Sequence, residues 1–594
     1  MKEILSGNEA IARGAFEAGV KVASAYPGTP STEILENVIN YPTINASWAP
    51  NEKVALEVGI GASFGGARAL VTMKHVGVNV AADPLFTLSY TGVNGGLVLV
   101  SADDPEMHSS QNEQDNRNYA KFAKIPMLEP ADSRECKEFT RLAFELSEQF
   151  DTPVMLRTTT RTSHGKSIVE LAEPVTGLPE PKLVKNAAKL VMLPGNAKVR
   201  HPLIEQRTLS LAQYGNTAAI NRMELRGKIG IITSGAPYQY VREALPEAST
   251  LKLGMVHPLP ETLIREFAAK VDQLFVVEEL DPFIEEQVRA MGLAVVGKEI
   301  LPICGELSPG IVRKAFAGIG IGATVGAFRE TPLPIAPVNL PGRPPNMCPG
   351  CPHRGVFFTL KQLGAYVAGD IGCYTLGFLP PLSAMDTCIC MGASVGMATG
   401  MVKVVPVEEK KKVVGVIGDS TFLHTGINGL MDMVYNQAPA TLIILDNRIT
   451  AMTGRQDNPA TGFTLMDDPT NRVDLPLLCS ALGVKHVRTV NPFDLAETRA
   501  VIEEEMNRPE PSVVITDKPC VLIKREGVFK AEAVLEVDEE KCVGCRACLK
   551  IGCPAMEWLP TDGKKGKSHI DSLLCTGCDV CRQLCKFGAI GGGK

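Results

Sequence analysis

The sequence predicts a multidomain α/β protein, and three observations carry that reading. The chain has 594 residues, enough for about three to five domains at roughly 100–200 residues each. Apolar, strand-like runs alternate with helical patterns along most of it. Glycine (55) and proline (42) are abundant while aromatics reach only 5%, as expected where many tight turns join strands to helices. The rest of the composition is ordinary. Hydrophobic residues make up 45% and charged residues 21%, which excludes wholesale disorder. A formal charge of −6 and a pI near 6.0 argue against a general nucleic-acid binder. No apolar run reaches the ~18 residues of a membrane helix. The opening MKEILSGNEAIARGAFEAGV lacks the basic and apolar regions of a signal peptide, so the chain reads as cytoplasmic.

Residues 1–175 read as a first α/β unit, with strand-like runs VKVASAYPG, ARALVTMK, GGLVLVSAD and TPVMLRTTT. Residues 176–226 show few strand signals and are expected to connect. A second α/β unit, 227–330, opens at GKIGIITSG and continues through KLGMVHPLP, QLFVVEE and LAVVGKEI. Then TPLPIAPVNLPGRPP (331–345) carries six prolines in fifteen residues, an extended linker. A third α/β unit spans 346–525, with strands expected at KKVVGVIGD and ATLIILDN. A separate tail begins near 535 and runs to 594.

The cysteines are the most informative residues. Of 17, only Cys136 and Cys304 precede position 348, and eight fall between 542 and 585. In a large chain that reads as cytosolic, metal binding is favoured over a disulfide framework. The tail reads Cys542-x2-Cys545-x2-Cys548-x4-Cys553-Pro554, then Cys575-x2-Cys578-x2-Cys581-x3-Cys585. Two Cys₄ zinc sites are the alternative. Either way a tail with so little apolar core depends on metal to fold. The pattern resembles the bacterial two-cluster ferredoxins, in which three close thiolates and one distant thiolate hold each [4Fe–4S] cube. By that resemblance Cys542, Cys545, Cys548 and Cys585 hold one cluster, and Cys553, Cys575, Cys578 and Cys581 the other. Two departures stand out: four residues, not three, precede Cys553, and Lys586 follows Cys585 where the family has proline.

In the third unit, VVGVIGDST ends in Gly418-Asp419-Ser420, and TLIILDNRIT places Asn447 28 positions after Asp419. A β-α-β connection of that length returns the second strand beside the first. Both polar groups then lie at the carboxyl ends of neighbouring strands, where open α/β sheets bind ligands. A carboxylate and an amide oxygen suit Mg²⁺, and Gly418 permits close approach of a ligand to the backbone. The bland alternative is a strand-end turn with a capping Asp. The segment resembles the thiamine-diphosphate motif, with Ser420 in place of its second Gly. The resemblance implies Mg²⁺ held by Asp419, Asn447 and the carbonyl of Ile449.

Such enzymes also need a glutamate for the pyrimidine ring of thiamine. APNEKVALEVGIGASFGGARALV (49–71) has Glu52 ahead of a small-residue helix containing Gly61, Ala62, Ser63, Gly65 and Gly66, and it resembles the pyrimidine-domain segment. Glu52 is the candidate, Glu57 its competitor on another helical face, and a solvated helix-start Glu the bland alternative. Upstream, AYPGTPSTEI (25–34) resembles the Tyr-Pro-x-Thr-Pro segment of 2-oxoacid:ferredoxin oxidoreductases. That likeness makes Thr29 a donor to substrate or cofactor; a Pro-fixed turn with Ser31 or Thr32 capping a helix is compatible with it. The polar stretch 101–117 follows a buried strand and offers His108, Gln111 and Arg117 as weaker candidates. In the third unit Cys348, Cys351, Cys373 and Cys520 resemble the ligands of a further [4Fe–4S] cluster near thiamine. The alternative, buried small hydrophobes, accounts well for Cys479.

The order of these parts resembles the alpha subunit of the indolepyruvate:ferredoxin oxidoreductases, within the 2-oxoacid:ferredoxin oxidoreductase superfamily, over essentially the whole chain. The resemblance implies two thiamine-diphosphate-binding domains, 1–175 for pyrimidine and 346–525 for diphosphate and Mg²⁺. It also implies a transketolase-C-like domain at 227–330 and a ferredoxin-like two-cluster tail at 535–594. The implied reaction is oxidative decarboxylation of aryl pyruvates with coenzyme A to aryl-acetyl-CoA and CO₂. Electrons pass to ferredoxin, and a smaller beta subunit takes part in a hetero-oligomer. Branched aliphatic 2-oxo acids, or an electron-transfer subunit with a degenerate thiamine site, remain as alternatives.

Overall fold

A computed structural model describes residues 1–182, 186–192, 194–321, 345–525, 533–560 and 566–592. The chain forms two compact units, Met1–Ala336 and Pro337–Lys594. The Pro-rich linker expected at 331–345 lies, apart from Pro345, outside the described residues.

The first unit is built on a seven-stranded sheet. Its spatial order is Met255–His257, Met127–Leu128, Val154–Thr159, Leu97–Asp103, Ala69–Lys74, Val22–Ala25 and Asn45–Trp48. All neighbours are parallel except the first pair. The strands Ala69–Lys74, Leu97–Asp103 and Val154–Thr159 are buried at every position, which explains their continuous apolar runs: helices cover both faces of such a sheet. On one face Ala55, Leu56, Leu85 and Leu88 of the helices Glu52–Phe64 and Ala82–Thr91 pack with Val71, Met73, Leu97 and Leu99. Asn51 sits in extended backbone and its side chain accepts the Val54 N–H at 2.9 Å. This cap starts the helix at Glu52.

A four-stranded sheet follows, ordered Gln273–Val277, Ile229–Ser234, Ser249–Leu253 and Arg222–Glu224, with only the last strand antiparallel. Its residues Ile232, Leu251 and Val276 join the same core. Two of the unit's apolar runs are not single strands of this sheet. KLGMVHPLP is not one strand of this sheet. It breaks at Gly254, whose missing side chain admits the Ile220 carbonyl and the Phe139 ring, and Met255–His257 crosses to the seven-stranded sheet. LAVVGKEI makes a single bridge, Phe275 to Val296, rather than a strand. The connecting stretch 176–226 contains a 24-residue helix, Pro194–Thr217. Its apolar residues do not gather on one face: Ile204 and Leu211 are buried, while Val199, Leu203 and Leu209 are exposed.

The second unit has a five-stranded parallel sheet, ordered Tyr366–Ala368, Val413–Gly418, Thr441–Asp446, Ser512–Asp517 and His486–Val490. The tail contributes two antiparallel ribbons, Leu535–Val537 with Ile590–Gly592 and Met556–Leu559 with Lys567–Ile570. Its core is small, formed by Leu535, Cys548, Ile570, Cys581 and Ile590. Among the described residues no helix is long and apolar enough to cross a membrane.

Candidate active site and cysteine clusters

In the first unit the candidate residues follow the carboxyl ends of parallel strands of the seven-stranded sheet. Glu52 is buried at the first position of its helix. Its side chain lies against Gly77, where a Cβ would stand 2.7 Å from Glu52 Oε1. Glu57 is exposed and pairs with Lys53, so the two competitors occupy opposite environments. Thr29 is half-buried in the turn after Val22–Ala25. The turn is locked by its neighbours: Gly28 N–H donates to Thr32 Oγ1 at 2.8 Å and Ser31 Oγ donates to the Gly28 carbonyl at 2.8 Å. Ser31 precedes the Thr32–Val38 helix without a side-chain cap, so these hydroxyls fix the turn rather than the helix end.

The 101–117 loop reaches this turn through Ser109, whose Oγ donates to the Thr29 carbonyl at 3.2 Å. Its three weaker candidates separate. Gln111 is exposed. His108 is exposed and pairs with the buried Glu306 at 3.2 Å. Arg117 is wholly buried, held by Asp115 (2.5 Å) and Glu278 (2.6 Å), and donates to the carbonyls of Glu279 and Asp281. Arg117 therefore ties the loop to the four-stranded-sheet region through a buried charge network.

Sequence reading passed over Lys74. It ends the Ala69–Lys74 strand, is only 8% exposed, and its Nζ donates to the Ser109 carbonyl at 2.8 Å. Burial lowers its pKa to about 8, against the opposing charges of Asp104 and Glu52. The available signal was a cation terminating an otherwise apolar strand.

In the second unit, the register pairs Gly418 with Leu445 on adjacent parallel strands. Asp419 and Asn447 therefore emerge at neighbouring strand ends, both buried. Burial, then the nearby Asp446, raises the Asp419 pKa well above the usual carboxylate range. A cation at this position relieves both effects, so the donor set fits a magnesium ion. Asn447 Oδ1 accepts the Ile449 N–H at 3.2 Å and its amide nitrogen faces His353 Nε2 at 3.3 Å. Ser420 Oγ accepts from Thr450 Oγ1 at 2.9 Å, and Asn458 Nδ2 reaches Asp419 Oδ2 at 3.4 Å. The close neighbour at Gly418 is the ring of Tyr374, 2.8 Å from where a Cβ would lie.

Twelve of the seventeen cysteines fall into three groups. Cys542, Cys545, Cys548 and Cys585 line one cavity, walled by Val537, Val543, Ala547, Ala589 and Ile590. Cys581 lies within electrostatic reach of Cys578, Cys553 and Cys575, and after these of Cys548. Cys348 acts on Cys351, Cys373 and Cys520 in the same way. Burial pushes the thiol of Cys351 up to about 12 and that of Cys373 to about 11, a cost that metal coordination removes. Four thiols around an apolar cavity fit an iron–sulfur cube. Cys479 is fully buried in the core. A second overlooked residue, Arg354, donates to the carbonyls of Cys348 (3.2 Å) and Gly552 (2.5 Å), joining the 348–354 segment to the tail.

Comparison with known proteins agrees with this layout. The family described as "Pyruvate flavodoxin/ferredoxin oxidoreductase, thiamine diP-bdg" matches residues 13–228. "Thiamine pyrophosphate enzyme, C-terminal TPP binding domain" matches residues 370–516. A 2-oxoglutarate synthase subunit KorA from Methanothermobacter thermautotrophicus is 26% identical over 51% of this chain and 94% of its own length. The indolepyruvate oxidoreductase subunit IorA of Archaeoglobus fulgidus is 42% identical over 99% of this chain and 97% of the relative. That of Pyrococcus horikoshii is 40% identical over 99% and 96%. With thiamine-diphosphate-binding domains in both units and full-length likeness to these oxidoreductases, the chain belongs to the indolepyruvate oxidoreductase subunit IorA family.

Proposed function

We propose that this chain is the alpha subunit of an enzyme that oxidatively decarboxylates aryl pyruvates with coenzyme A. The overall change converts one 2-oxo acid and one coenzyme A to an acyl-CoA and CO₂, and two ferredoxins each take one electron. One observation carries the oxidative reading: the thiamine-binding domain and a cavity lined by four thiols belong to one compact unit. A simple decarboxylase has no use for an electron acceptor there.

Bound thiamine diphosphate supplies a nucleophilic carbon and an electron sink for the carbon that loses CO₂. The chain's own residues divide the remaining work. Asp419, Asn447 and the Ile449 carbonyl hold Mg²⁺, and through it the diphosphate. Glu52 holds the pyrimidine ring by a proton at a ring nitrogen, and its buried position keeps water from competing. Thr29 offers a hydroxyl at the edge of the same strand ends. The eight tail cysteines hold two [4Fe–4S] clusters in the interleaved pairing of the ferredoxins. Cys348, Cys351, Cys373 and Cys520 hold a third. Clusters held there would supply one-electron acceptors on the way to ferredoxin. A beta subunit, absent from this sequence, completes the enzyme.

The test is anaerobic reconstitution with the beta subunit, followed by thiamine content by mass spectrometry and ferredoxin reduction driven by a panel of 2-oxo acids. Full thiamine content with fastest reduction by aryl pyruvates is expected. Thiamine-free protein that still relays electrons would instead identify an electron-transfer subunit.

A further inference from the structure

We propose that Lys74 binds the carboxylate of the 2-oxo acid substrate, an inference that rests on the thiamine-dependent reading above. Its ammonium has three N–H donors. The described residues supply the Ser109 carbonyl at 2.8 Å and the Ser109 hydroxyl at 3.5 Å, and no carboxylate forms an ion pair with it. Burying a charge is costly unless it is paired. The nearby Asp104 is already engaged, accepting from Ser109 N (2.9 Å), Ser110 Oγ (2.5 Å) and Thr160 Oγ1 (2.8 Å). The stem of Lys74 runs beside Gly28, where a Cβ would stand 3.0 Å from Lys74 Cβ. The cation therefore sits near both the Thr29 turn and Glu52 with one donor to spare. The substrate's anionic group is its carboxylate, small enough to meet an ammonium that is only 8% exposed. Phosphate groups of coenzyme A share that chemistry and are separated by the test.

The contact exists before CO₂ leaves, so it strengthens substrate binding more than it lowers the barrier. The charged and titratable groups around Lys74 are Glu52, Asp104 and His75. Burial holds the His75 pKa below its ordinary value, so it stays neutral where Lys74 titrates. Lys74 is lowered to about 8, so kcat/KM for the 2-oxo acid falls above about pH 8 as the ammonium is lost.

The experiment uses the reconstituted holoenzyme and its Lys74→Met variant. Two substrates are compared: the 2-oxo acid and the aldehyde with the same side chain, which lacks the carboxylate and gives the same acyl-CoA by two-electron oxidation. KM for the 2-oxo acid should rise ~10²-fold, the range for a lost hydrogen bond to a charged group. Aldehyde turnover and KM for coenzyme A should not move. Calorimetric binding of the unreactive 2-hydroxy analogue should weaken by a similar factor. Equal losses on acid and aldehyde would reduce Lys74 to a structural role, and a rise in KM for coenzyme A alone would assign it to phosphate; either overturns the proposal. If the variant does not fold, the wild-type pH profile decides: a fall above about pH 8 with the acid but not the aldehyde is expected, and a flat acid profile contradicts it. Failure of the underlying reading looks different, because the wild-type holoenzyme would then oxidise neither substrate.

Discussion

Glu52 and Gly77 stand so close that the glycine has no room for a methyl group: a Cβ there would lie 2.7 Å from both Cγ and Oε1 of Glu52. Gly77→Ala adds a helix-favouring residue inside His75–Val80, so its effect falls on the carboxylate rather than on helix formation. Hydrogen exchange at the thiazolium carbon, followed by NMR on thiamine-loaded protein, should slow ~10-fold. Glu52→Gln should slow it at least ~10²-fold, the lower range for a lost acid–base group, with cofactor content retained. Unchanged exchange in Glu52→Gln would remove Glu52 from this role and return attention to Glu57.

Asp419→Ala should abolish Mg²⁺-dependent binding of thiamine diphosphate while leaving the circular dichroism of the chain unchanged. A purified variant with full cofactor content and full turnover would contradict the ligand assignment.

Arg117→Met leaves Glu278 buried without its ion-pair partner and Asp115 with only Arg157, at 3.8 Å. Removing one partner of a buried pair costs about 3–5 kcal/mol. Chemical denaturation should show a loss of this size in the first transition. Unchanged stability with lost turnover would instead restore Arg117 as a site residue.

With three [4Fe–4S] clusters the chain holds about twelve iron atoms, and with two about eight. Cys520→Ser should bring the anaerobic iron content from the higher value towards the lower and interrupt electron flow from thiamine. A variant that keeps wild-type iron and electron transfer would end the third-cluster assignment.

The central strands were legible because burial on both faces leaves continuous apolar runs, and Val413–Gly418 and Thr441–Asp446 are buried throughout. Asp419 and Asn447 were legible for the same reason, since strand order follows from the connection length and the polar residue at each strand end is visible. The tail's four-thiol cavity joins Cys585 to the first cysteine motif, the grouping that the resemblance to two-cluster ferredoxins implied.

What escaped depended on partners distant in sequence. Lys74 looks like any strand-end lysine until Ser109, 35 residues away, is found against it. Arg117 reads as a polar loop residue until Glu278, 161 residues on, supplies its carboxylate. Arg354 gains its meaning from Gly552. The Pro194–Thr217 helix lacks a one-sided apolar stripe, the signal on which periodicity depends. The break at Gly254 is set by the Ile220 carbonyl and the Phe139 ring, contacts that no local pattern encodes.

The most direct test of the central claim is the anaerobic, coenzyme A-dependent reduction of ferredoxin by the chain reconstituted with its beta subunit, with phenylpyruvate and a branched-chain 2-oxo acid compared at equal concentration. The account predicts acyl-CoA and CO₂ in equal amounts, about two ferredoxins reduced per CO₂, and a higher kcat/KM for the aryl substrate. CO₂ release without ferredoxin reduction, or preference for the branched-chain acid, would contradict it.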